Sequence, residues 1–140
     1  MTLRIPLEWA SAFGDGDGLV FAADVHGDDW PSIEAELTTA FEFSRATARA
    51  GAPITYIVHN DDLHGRRGAG RAMVATGLLS AARTAAVELV KTGVPVNVLA
   101  VEDETDPRTV ARWVALVTEP GGPTGELIHL GPGHIGKALA

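Results

Sequence analysis

His59, Asp61, Asp62 and His64 fall within six residues, HNDDLH. His26, Asp28 and Asp29 form a second group, HGDD. A histidine beside a carboxylate is the usual proton-transfer pair near neutral pH, and two histidines with a carboxylate are a common metal set. His59 with Asp61 or Asp62 is thus a candidate acid/base pair, suited to isomerisation or dehydration. The two groups together are a candidate metal site. Neither spacing is diagnostic, since Asp and Asn also cap helix starts and no HExxH pattern is present. Arg66, Arg67 and Arg71, in HGRRGAGR, could grip a carboxylate or phosphate or could form a plain Gly/Arg loop.

These residues need elements to carry them. Four short apolar runs read as strands: 18–24 (GLVFAAD), 53–60 (PITYIVHN), 95–102 (PVNVLAVE) and 125–131 (GELIHLG). A fifth at 3–7 (LRIPL) belongs at a sheet edge because Pro6 lacks the N–H a central strand needs. The helical segments between them begin near Asp29-Trp30-Pro31, Ala72 and Asp106-Pro107, and the first two stop at Gly51 and Gly93. Strands alternating with helices predict a mainly parallel sheet of four to five strands with helices on both faces. Both histidine groups then lie beyond carboxyl ends of strands, where open α/β sheets bind ligands.

The chain has 140 residues, no cysteine and a net charge of −7. One domain is expected at this length, without disulfides, thiol catalysis or thiolate metal sites. The acidic balance argues against nucleic acid or an anionic membrane as partner. With neither a secretory leader nor a membrane span in the sequence, the expected location is cytoplasmic.

The segment Ala72–Val90 is apolar nearly all round, with only Arg83 and Glu88 charged. A helix lying on one sheet face needs one apolar stripe. An apolar second face predicts a subunit interface. The residues assigned to it are Ile33, Leu37 and Phe41 on the first long helix and Met73, Leu78, Ala82 and Ala86 on the second.

AAVELVKTGVPVNVLAVE, with Val96 and Asn97, and GGPTGELIHLGPGHIGKAL, with Thr124, Gly125 and Gly133, resemble the helix–strand and C-terminal segments of short-chain dehydrogenase/reductases. The resemblance covers residues 18–138 and implies a truncated Rossmann-like fold. The family's glycine-rich turn, which places phosphate on a helix N-terminus, has no counterpart. GDGDG at 14–18 carries Asp15 and Asp17, which repel a pyrophosphate, and it precedes a strand. The family's Ser, Tyr and Lys positions fall near His59, on Arg71 and on Ala75. No Tyr or Lys occurs between Ile57 and Val90, and Arg, with a pKa above ~12, donates no proton at neutral pH. Its Asn-Asn-Ala-Gly becomes Ala22, Ala23, Asp24 and Val25.

The resemblance therefore implies a non-catalytic chain that binds no cofactor. The family's members assemble through the two long helices. The expected partner is a second copy or, preferably, a full-length reductase holding NAD(P) itself. A cofactor-independent enzyme using His59, or a small-ligand binding module, are the rival readings.

Overall fold

The computed structural model describes residues 1–131. Five strands, β1 (Thr2–Arg4), β2 (Leu19–Ala22), β3 (Ile54–His59), β4 (Val96–Val101) and β5 (Leu127–His129), pair in chain order in one sheet. Every pairing is parallel, with Leu19 opposite Ile54 and Ile54 opposite Val96. The short edge strand β1 ends before Pro6, as a proline without an N–H requires. Strand β5 is shorter than the apolar run that contains it. Gly133 and His134 lie outside the described residues.

Helices α1 (Trp30–Arg49), α2 (Asn60–Leu63), α3 (Ala69–Glu88) and α4 (Pro107–Val117) connect the strands, with a 3-10 helix at Leu7–Ala12. Asp29 and Asp106 cap α1 and α4, accepting the backbone N–H of Ser32 and Arg108 ahead of a proline in each first turn. Side-chain hydrogen bonds from Ser32 and Arg108, with these backbone bonds second, favour the ionised form and lower both carboxyls from their ordinary value.

Alternation along the strands divides the core in two. Leu19, Phe21, Ile54, Tyr56, Val96 and Val98 pack under α1 and α3. Val20, Ile57, Leu99 and Val101 face α4, with Trp9 and Phe13 of the first connection beside them. The strand order advances in one direction, yet the two inner connections cover one face and the two outer ones the other. Inner and outer crossovers therefore have opposite hands, a departure from the near-uniform right-handed rule.

One polar clamp explains the Val-Asn and Thr-Gly pairs. Asn97, fully buried, donates through Nδ2 to the carbonyls of Val117 (3.1 Å) and Pro123 (2.7 Å), and its Oδ1 accepts from the N–H of Glu126 (3.2 Å). The hydroxyl of Thr124 accepts the N–H of Val96 at 3.1 Å. Together they tie the end of α4 and the start of β5 to β4.

Helix α3 buries one stripe, Gly70, Val74, Ala75, Leu78, Ala82 and Ala86, against the sheet. Its remaining surface mixes Met73 and Val87 with Thr76, Ser80, Arg83, Thr84 and Glu88. The outer face is therefore mixed rather than apolar all round, with small alanines between the polar groups. Among the described residues, no helix is long and apolar enough to cross a membrane.

Candidate functional site

Adjacent connections leave the sheet on opposite faces after β1 and β2, and again after β3 and β4. Crevices at carboxyl ends of strands open at such points. The second holds His59, the last residue of β3. Its Nδ1 accepts the N–H of Asp61 at 3.1 Å, which places the ring proton on Nε2, and Nε2 lies 3.0 Å from Oδ1 of Asp103. The carboxylate beside His59 therefore comes from the loop after β4, not from Asp61 or Asp62.

Those two acids are engaged with arginines. Asp62, buried, takes Arg67 in a two-pronged contact at 2.9 and 3.1 Å, and Asp61 meets Arg66 at 3.1 Å. Arg67 also lies 3.8 Å from Asp103. The proposed pairing fails because α2 turns the chain directly after His59. That turn directs the next acids towards the arginines that follow in sequence.

With Nδ1 accepting and Nε2–H donating, the neutral imidazole has no free lone pair to take a proton from a substrate. The side chain of His59 is 13% exposed, so the ring is a tie between two loops. General-base work by His59 is not what this geometry supports.

The other histidine group disperses. Asp29 caps α1, and His26 lies 3.2 Å from Asp24 on the surface. Asp28 reaches across to the start of α3, where its Oδ1 accepts the N–H of Gly70 at 3.0 Å. Gly68 and Gly70 make that approach possible, since a Cβ on either would come within 3.0 Å of the Asp28 carboxylate. Among the described residues no three His, Asp or Glu side chains converge as a metal set. Arg67 and Arg71 line one small recess together with Asp24 and Asp62, and Arg66 is not part of it, so the three arginines do not converge on one point.

The first crevice, between β1 and β2, is a cavity of about 330 Å³ lined by Arg4, Ile5, Pro6, Ala22, Ala23 and Asp24. Arg4 donates to the Ala22 carbonyl and to Oε2 of buried Glu36, both at 2.6 Å, over the ring of Phe21. Oε1 of Glu36 accepts the N–H of Asp24 at 2.9 Å. This ion pair, Asp103 and the Asp28 cap are not legible in the sequence, because each joins residues on different elements. GAG before an apolar helix was the one local signal, marking a close backbone approach.

A nicotinamide dinucleotide needs main-chain N–H groups at a helix start for its pyrophosphate. Here β1 runs into Pro6, which has no N–H, and then a 3-10 helix of six residues with Glu8 in its first turn. Asp24 borders the same cavity. These groups do not suit a pyrophosphate.

On the α1–α3 face, a groove of about 620 Å³ runs between the two helices down to Ile54 and Tyr56. Of the seven residues assigned to an interface, Ile33, Leu78, Ala82 and Ala86 are buried in the chain's own core. Positions three to four apart on each helix face the sheet, and apolar residues all round do not say which stripe that is. Phe41 is 62% and Met73 47% exposed, and Leu37, partly buried, lines the groove with Phe41.

The architecture is that of short-chain dehydrogenases. The chain superimposes with a TM-score of 0.68 on 3-hydroxyacyl-CoA dehydrogenase type-2 from Mycobacterium avium, at 14% identity over 81% of this chain and 65% of that one. For a short chain dehydrogenase from Mycobacterium smegmatis the TM-score is 0.66 at 20% identity, covering 84% and 59%. For the TT0495 protein of Thermus thermophilus it is 0.72 at 20% identity, covering 86% and 69%. The chain thus spans less than two thirds of the length of the first two. Identities this low establish the fold alone. No protein-family model and no curated protein sequence matches the chain.

Proposed function

We propose that this chain is a non-catalytic subunit with a short-chain-dehydrogenase-like fold. It docks through α1 and α3 onto a full-length NAD(P)-dependent ketoreductase or dehydrogenase in the cytoplasm. The partner holds the nicotinamide and performs the hydride transfer, and this chain stabilises it or shapes its substrate pocket. The observation that carries the reading is the α1–α3 face itself. An open apolar groove lined by Leu37 and Phe41 remains after the fold has buried its core, and such patches mark interaction sites. Two further points support it. By the sequence resemblance, the family's Tyr and Lys positions correspond to Arg71 and Ala75, and both ring nitrogens of His59 are engaged.

The test is co-expression with the short-chain reductase encoded nearest to this chain, followed by size exclusion and activity measurement. Co-elution, with a raised melting temperature or altered KM of the reductase, is the expected result. Elution of this chain as a lone monomer, with the reductase unchanged, rejects the reading.

A further inference from the structure

The walls of the groove carry opposite charges. Arg45 and Arg49, one helical turn apart, stand on the α1 wall, and Glu88 stands on the α3 wall. All three are exposed, and none forms an ion pair or hydrogen bond with the described residues. Arg49, in the last turn, complements the helix dipole. Arg45 lies a turn further in and gains less, while like charges four residues apart on a helix oppose one another. Leu37 and Phe41 of α1 and Gly77, Ala81 and Ala85 of α3 line the groove's sides above a floor at Ile54 and Tyr56. Small residues on α3 leave room there for a bulky side chain from outside.

We propose that the groove receives an amphipathic helix of the partner chain. That helix sets large apolar side chains on the floor and two acidic side chains, one turn apart, on Arg45 and Arg49. This rests on the subunit reading and adds the identity of the docking element. Charge complementarity of this kind sets orientation and register more than raw affinity. Glu88 on the far wall disfavours acids on that side, so the charges admit one direction of the incoming helix. A second copy is a poorer occupant. The exposed acids of α1 are Glu34 and Glu42, eight residues apart, and α3 offers only Glu88, so neither long helix presents two exposed acids one turn apart.

The experiment uses the full chain and two synthetic helical peptides of about 20 residues, long enough to be helical when stabilised. Both carry a leucine stripe at helical spacing. One has two Glu residues a turn apart beside the stripe, and the other has Lys at those positions. Fluorescence anisotropy should show the Glu peptide binding at least about fivefold more tightly. The preference should shrink in high salt and reverse with the double variant R45E/R49E. Equal binding of the two peptides, binding of neither, or a stable homodimer occupying the groove would overturn the proposal. If a reductase complex forms and R45E/R49E leaves its affinity unchanged, the docking inference falls while the subunit reading stands. If the Glu peptide binds and no reductase complex forms, the reverse holds.

Discussion

Gly70 and Gly77 lie on the same helix, seven residues apart, and alanine at the two should change stability in opposite directions. A Cβ on Gly77 would meet only Cδ2 of Leu37, at 3.4 Å, which is ordinary contact. Gly77→Ala therefore gains the helix propensity difference of about 1 kcal/mol with no opposing clash. A Cβ on Gly70 would lie 2.8 Å from Oδ1 of Asp28, 3.0 Å from its Cα and 3.0 Å from the carbonyl of Gly27. Backbone atoms cannot yield as a side-chain tip does, so overpacking there costs roughly 1–2 kcal/mol. Displacing the Asp28 carboxylate from the N–H of Gly70 adds about 1 kcal/mol for the lost cap. The two variants should therefore differ by roughly 3 kcal/mol. Urea denaturation followed by circular dichroism reads this directly. With a slope of about 2 kcal/mol/M, the midpoint rises by about 0.5 M for Gly77→Ala and falls by about 1 M for Gly70→Ala. Shifts of the same sign would mean that α3 does not sit against Asp28 and Leu37 as described.

Asn97→Ala removes three hydrogen bonds from a fully buried position and strands two carbonyls and an N–H. A loss of roughly 3 kcal/mol is expected by urea denaturation, and a loss below about 1 kcal/mol would reject the clamp. Tyr56 is the sole tyrosine, so alkaline absorbance titration reports on it alone. Burial pushes its phenol above the ordinary value, and the bond to Ser44 offsets this in part. A pKa raised on folding contributes stability that is complete below about pH 10 and is lost as pH rises through the folded value. Tyr56→Phe should flatten that alkaline loss. A midpoint at or below about pH 10 would contradict the buried placement.

Much of the architecture was legible because its signals are local. Apolar runs closed by Gly, Pro or Asp marked strands β2 to β5, though β5 proved shorter than its run, and the Pro6-limited edge strand. Asp-Pro at 106–107 and Asp29 before Pro31 marked helix starts, since cap chemistry lies within four residues of the bond it makes. The candidate site was less legible. The pairing of His59 with Asp103 depends on two loops meeting across β3 and β4, and nothing within either loop records the other. The same holds for Arg4 and Glu36, 32 residues apart.

Composition and periodicity alone determined an alternating α/β chain without cysteine chemistry, with two long helices and no tyrosine or lysine between Ile57 and Val90. Those properties belong to the covalent chain and to contacts a few residues long. Tertiary structure alone decided which stripe of α3 meets the sheet, on which face each connection runs, and which carboxylate stands beside His59. It also decided which charges stay unpaired along the groove. Each depends on how far apart independently formed elements come to rest, a distance set by packing the whole core at once rather than by any short stretch of sequence.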